Sequence, residues 1–196
     1  MAYNKKDHYY YKAKEDNFAA RSIYKLEEID QKYRIIKAGM KVLDLGAAPG
    51  SWSQYLSQKV GDKGRVLGID LIQVQLTLSN AVFIHADLYD LNLDQVIIEN
   101  GFEPIFDGVF SDMAPKTIGI RITDQARSMA LCELALNIAD RFLRKGGNFV
   151  CKFFHSDDFQ ALKKQMDTRF TKVEVLRPKS TRKESKEIFL IGISKK

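Results

Sequence analysis

The chain has 196 residues, of which 45% are apolar and 29% charged, and a formal net charge of +6. That length suits one domain with a full core and is short for two. No apolar run is long enough to cross a bilayer, and residues 1–20 lack the apolar core of a signal peptide, so no membrane association is expected. Cys132 and Cys151 lie inside apolar segments away from any His–Cys cluster. They read as free, buried thiols in a reducing cytoplasm, with no metal site.

The charge is unevenly placed. Residues 1–41 hold 10 Lys/Arg against 6 Asp/Glu and residues 163–196 hold 11 against 4, whereas residues 42–162 hold 10 against 15. A surplus serving solubility alone would be spread evenly. Two basic ends around an acidic centre suit a nucleic acid held beside an acidic small-molecule site.

In chain order, "MAYNKKDHYYYKAKEDNF" is polar, basic and without periodicity. It reads as a flexible arm over residues 1–20, with Tyr9, Tyr10 and Tyr11 able to stack on bases or tuck onto the body. "AARSIYKLEEIDQKY" places Ile23, Leu26, Ile29 and Tyr33 on one helical face and leaves Arg21, Lys25 and Lys32 near its edges. Strand and helix then alternate. "KVLDLG" is a strand, and "SWSQYLSQKV" a helix with Ser51 as its cap. "RVLGID", "AVFIHAD" and "DGVFSDMA" are further strands, followed by a long helix, "DQARSMALCELALNIADRFL", stopped by "RKGG". "NFVCKFF" is the fifth strand, "DDFQALKKQMDTRF" a helix, and "TKVEVLRP" with "KEIFLIGIS" an antiparallel hairpin. The pattern predicts a Rossmann-like α/β domain over residues 21–196, with a mostly parallel sheet covered on both faces.

Ligands of such sheets bind outside the carboxyl ends of the strands. The turn "GAAPGSW", Gly46, Ala47, Ala48, Pro49, Gly50, Ser51 and Trp52, follows the first strand. It lacks the nicotinamide G-x-G-x-x-G and the Gly-Lys-Ser/Thr of a P-loop, which disfavours a pyrophosphate ligand. Asp44 suits a cationic group such as an amino-acid ammonium, Asp70 a ribose diol and Asp87 an adenine amino group. Asp112 ends the fourth strand, so four strands bring a carboxylate towards one edge. S-adenosylmethionine has an ammonium, a sulfonium, a ribose and an adenine, and no phosphates.

Lys152 interrupts the fifth strand. With Asp112, Lys25 and Glu187 it forms a candidate set of two lysines and two carboxylates that share charge. A second cation and partial burial favour the neutral amine, the form in which a lysine accepts a proton.

These residues carry a family resemblance. "RSIYKLEEI", "GMKVLDLGAAPGSWSQYL", "GDKGRVLGIDL", "SDMAP", "ELALNIADRFLRKGGNFVCKFF" and "FTKVEVLRPKSTRKESKEIFLIG" occur in one order across nearly the whole chain beyond residue 20. The chain resembles the FtsJ/RlmE family, the ribose 2′-O-methyltransferases of large-subunit ribosomal RNA. It departs from the bacterial pattern in "KTIGIRITD" and "IQVQLTLSN".

The resemblance implies a seven-stranded methyltransferase sheet with its last strand antiparallel. It implies a tetrad of Lys25, Asp112, Lys152 and Glu187, with Lys152 the proton acceptor. S-adenosylmethionine contacts are expected from Asp44, the Gly46–Trp52 turn, Asp70, Leu71, Asp87, Leu88 and Asp112, with S-adenosylhomocysteine as product. The expected substrate is a uridine of 23S-type ribosomal RNA in the large subunit or a late assembly particle. A cytoplasmic monomer without a metal completes the expectation. Arg21, Lys32, Arg177, Lys179, Arg182, Lys183 and Lys186 are candidate RNA contacts. The alternatives are a relative acting on tRNA or another RNA, and a non-catalytic RNA-binding or ribosome assembly protein.

Overall fold

A computed structural model describes residues 7–196. The strands are β1 (Lys41–Leu45), β2 (Arg65–Asp70), β3 (Ala81–His85), β4 (Phe106–Ser111), β5 (Leu143–Phe154), β6 (Phe170–Leu176) and β7 (Glu187–Lys195). They form one seven-stranded sheet in the order β3-β2-β1-β4-β5-β7-β6. All pairings are parallel except those of β7, which runs antiparallel to both β5 and β6. The expected hairpin is present, but its second strand slots in between β5 and β6. Strand order reverses between β1 and β4, and such a reversal opens a crevice at the carboxyl edge.

The helices are α1 (His8–Glu15), α2 (Ile23–Tyr33), α3 (Ser51–Val60), α4 (Leu93–Glu99), α5 (Arg121–Phe142) and α6 (Phe159–Arg169). Residues of α1, α2 and α3 pack with Val42, Val66, Phe110, Val150, Phe189 and Ile191 on one face. Residues of α4, α5 and α6 pack with Leu43, Leu67, Val109, Phe149, Cys151 and Leu190 on the other. The period of two along each strand therefore decides which face a polar residue joins. Asp44 follows Val42, Lys152 follows Val150 and Glu187 precedes Phe189, so all three point to the face covered by α1–α3.

Four local readings differ from the expectation. Residues 8–15 form α1: Asp7 caps it by accepting from the Tyr10 amide at 3.0 Å, and Ala13 is buried against the body. With a single buried residue in two turns, α1 leaves little periodic signal. The short α4 buries just Leu93 and Ile97 and escapes notice for the same reason. The long helix is not stopped by a glycine cap, since Leu143 turns extended at once and "RKGG" runs within β5.

Ser51 is the first residue of α3 but does not cap it. The N-cap is Gly50, and the Ser51 hydroxyl instead meets that of Ser22 at 2.8 Å.

Candidate active site

β1 delivers Asp44 to a fully buried position. One carboxylate oxygen accepts from Ser53 Oγ of α3 at 2.6 Å, and the other, Oδ1, is buried without a hydrogen-bond partner. Burial pushes this carboxyl up to about 7, against the Ser53 hydrogen bond and with help from the charges of Asp112 and Asp70. An orphaned acceptor of this kind is costly, and a cationic donor would satisfy it. That is the property expected of a site for the ammonium of S-adenosylmethionine.

The turn after β1 is fastened to β2. The amides of Gly46 and Ala47 donate to the Ile69 carbonyl at 2.9 and 3.2 Å, and that of Ala48 to Asp70 Oδ2 at 2.9 Å. These amides are therefore spent on the fold, and the turn serves as a wall. Gly46, at φ +79°, could not carry a side chain, because a Cβ there would stand 2.9 Å from the Met113 backbone nitrogen. The close approach is made by the protein's own chain at Met113. Gly50 is likewise at positive φ beneath Leu76.

Trp52 is the second residue of α3. Its ring is buried in the core beside Phe189, with centroids 5.7 Å apart, and its Nε1 donates to the Ser22 carbonyl at 2.9 Å. The side chain binds α2 to α3. Asp70 is half-buried, and both its oxygens accept backbone amides, from Ala48 and from Ile72 at 2.8 Å. Leu71 beside it is exposed. Asp87 lies two residues beyond β3 and accepts from the Tyr89 amide at 2.9 Å, whereas Leu88 packs on the α4–α6 core. Each of the two carboxylates keeps lone pairs for a ligand.

The four tetrad candidates come from four elements and meet as two ion pairs. Lys152 Nζ donates to Asp112 Oδ1 at 2.9 Å and to the Asp112 carbonyl. Lys25 of α2 pairs with Glu187 at the start of β7. The register sets Glu187 opposite Phe154 and Phe189 opposite Lys152, which keeps Glu187 and Lys152 on one face. Burial pushes the Glu187 carboxyl up, but the charge and hydrogen bond of Lys25, with the Lys152 charge, hold it below the usual carboxylate range. Both Lys152 and Glu187 are only 9% exposed.

Neighbouring helices fix this arrangement, and sequence reasoning missed them. On α5, Cys132 donates to the Lys152 carbonyl at 2.9 Å, and Ser128 accepts from the Phe154 amide at 3.0 Å. The spacing of four between Ser128 and Cys132, on the buried face of a helix, was the available signal.

The candidate RNA contacts separate into several environments. Lys179, Lys183 and Lys186 are exposed, and Lys32 lies over the Tyr33 ring. Arg177 spends one nitrogen on the carbonyls of Arg182, Lys183 and Ser185, so it organises the β6–β7 loop. Arg21 and Arg182 both pair with Asp7. Tyr9 packs on the α1–α3 core, leaving Tyr11 as the most open of the three tyrosines. A cavity of about 400 Å³ is lined by Lys25, Glu187, Arg21, Ser22, Arg182, Glu184 and Ser185. Among the described residues no cluster of His, Cys, Asp and Glu is arranged to hold a metal.

The family model of FtsJ-like methyltransferases matches residues 18–195. A protein of Bdellovibrio bacteriovorus named ribosomal RNA large subunit methyltransferase E is 66% identical over 196 residues, covering 100% of both chains. One of Nitratidesulfovibrio vulgaris with the same name is 50% identical over 189 residues, covering 95% of this chain and 91% of its own. Among solved structures, a Plasmodium falciparum protein assigned as a ribosomal RNA methyltransferase superposes with a TM-score of 0.81 at 27% identity, over 91% of this chain and 98% of that one. Fibrillarin of Aeropyrum pernix, solved with S-adenosyl-L-methionine, shares the fold, with a TM-score of 0.60 at 17% identity over 81% of this chain and 68% of its own. The chain belongs to the FtsJ-like methyltransferase family and is a methyltransferase.

Proposed function

We propose that the protein methylates a ribose 2′-hydroxyl of large-subunit ribosomal RNA, with a uridine as the target and S-adenosylmethionine as donor. The observation that carries this reading is the Lys152–Asp112 pair standing beside Lys25–Glu187 on the face that holds the unpartnered Asp44 oxygen. The names of the relatives support ribosomal RNA as substrate. Asp44 would hold the ammonium, Asp70 the ribose diol and Asp87 the adenine amino group. The Gly46–Trp52 turn, Leu71 and Leu88 would flank them. When bound, S-adenosylmethionine supplies a methyl on a positively charged sulfur, and the product is S-adenosylhomocysteine.

The chain's own task is to align the 2′-oxygen and remove its proton. The Lys152 ammonium first gives a proton to solvent, and the neutral amine then has two hydrogens and one lone pair. Lys152 Nζ makes two bonds to Asp112, so both can persist while the lone pair takes up the 2′-hydroxyl proton. Lys25 and Glu187 position the ribose and balance the charge. The protein would work as a cytoplasmic monomer on the large subunit or a late assembly particle, and no helix among the described residues is long and apolar enough to cross a membrane.

The test maps 2′-O-methyl sites in total RNA from cells with and without the gene, then adds purified protein and S-adenosylmethionine to large subunits of the deficient cells. One large-subunit site should vanish and be restored. A lost site in tRNA would move the substrate, and no lost site would favour a non-catalytic binding protein.

A further inference from the structure

We infer that Arg21 and Arg182 form a phosphate-binding site at the catalytic cavity, and that the Asp7 carboxylate occupies it as a resident anion which RNA displaces. The inference rests on the RNA-substrate reading above and specifies how RNA enters that site.

Asp7 has two separable roles. Its Oδ1 caps α1 through the Tyr10 amide at 3.0 Å, while its Oδ2 faces the guanidinium groups of both Arg21 and Arg182, the latter at 3.4 Å. Arg21 precedes α2 and Arg182 lies in the β6–β7 loop, so two distant segments converge on one anion. Both arginines line the cavity together with Lys25 and Glu187. Paired guanidinium forks suit a phosphodiester as well as a carboxylate, since each offers two oxygens and one negative charge. Exchanging one for the other leaves the arginines matched.

The site is held in place apart from Asp7. Arg21 lies over the Tyr9 ring, 5.4 Å from its centroid, and also donates to the Ser180 carbonyl. Glu28 of α2 accepts the amides of Lys179 and Ser180 at 2.6 and 2.9 Å, and Arg177 binds the loop's carbonyls. Asp7 is the more accessible partner, its side chain 30% exposed against 13% for Arg21. The far end of α1 has its own anchors in buried Ala13 and the Tyr24–Asp16 hydrogen bond of 2.7 Å. The cap residue Asp7 can therefore peel away while Tyr9, Ala13 and Asp16 keep the helix attached.

The test measures binding of a fluorescein-labelled uridine 12-mer RNA to the full chain. Asp7→Asn keeps a good helix cap and removes the charge. It should tighten RNA binding roughly two- to tenfold, the span expected for releasing two partly exposed ion pairs. The gain should be absent when Asp7→Asn is compared with its parent in an Arg182→Gln background. Unchanged or weaker binding by Asp7→Asn would show that Asp7 merely fastens α1.

A second measurement needs no variant. In the wild type, saturating RNA should speed hydrogen exchange at the Tyr10 amide, whose two acceptors, the Asp7 carboxylate and the Asp7 carbonyl, leave together when the residue peels away, and protection or no change there would overturn the displacement. Methyl transfer by the wild type to large subunits from gene-deficient cells is run in parallel. Its failure alone would sink the activity reading and leave the binding comparison standing.

Discussion

Asp44 lies fully buried in β1 with one carboxylate oxygen on Ser53 and the other without a donor. Its carboxyl is raised from an ordinary 3.8 to about 7, chiefly by burial. The folded state thus binds this proton more tightly than the unfolded one. Asp44 favours folding below 3.8, and that contribution is lost as pH rises through about 7. A bound ammonium reverses the preference by pairing with the ionised form. Binding of S-adenosylmethionine should therefore tighten between about pH 5.5 and 7 and release protons in that window. Calorimetry in two buffers of different ionisation enthalpy measures the release, which should disappear in Asp44→Asn. Proton release that persists in the variant would place the ammonium elsewhere. The presence of an acid at this position was legible in the sequence, but its missing hydrogen-bond partner was not. That depends on Ser53 reaching one oxygen across from α3 and nothing reaching the other.

At the scale of elements, strand positions were legible because most strands are short apolar runs between turn residues, and Lys152 stood out as the charge inside one of them. Joints between elements were not, because they depend on which side chains meet across the fold. Trp52 illustrates the difference: a tryptophan following a ligand turn looks like part of the ligand site, yet its indole ties α3 to Ser22 at the start of α2. Trp52→Phe should keep most of the packing against Phe189 and lose that hydrogen bond, leaving the Ser22 carbonyl short of a donor. A loss of about 1–3 kcal/mol in urea unfolding is expected, with affinity for S-adenosylmethionine nearly unchanged. A large loss of affinity at unchanged stability would show that the indole itself meets the cofactor.

At the scale of the whole molecule, the basic ends and acidic centre follow from the topology. Residues 21–25 and the β6–β7 loop, far apart in sequence, meet at one cavity beside the aspartate-lined edge. The charge bias was readable from composition, but the division of labour among the basic residues was not. Arg177 organises a loop and Arg21 holds Asp7, roles that appear only when the two ends are brought together.

The tetrad is likewise a property of the assembled sheet, since α2, β4, β5 and β7 each place one member in or near it. The chemistry proposed turns on Lys152 taking up the proton of the ribose hydroxyl. Single-turnover methyl transfer from labelled S-adenosylmethionine at saturating RNA, compared among wild type, Lys152→Ala and Lys152→Arg, tests it most directly. Lys152→Ala should bind cofactor and RNA nearly as the wild type does and lose on the order of 10²–10⁴ in rate. Lys152→Arg should be as slow, because a guanidinium stays protonated and cannot accept a proton. A rate near that of the wild type in the arginine variant would contradict the account and leave Lys152 as a positioning charge.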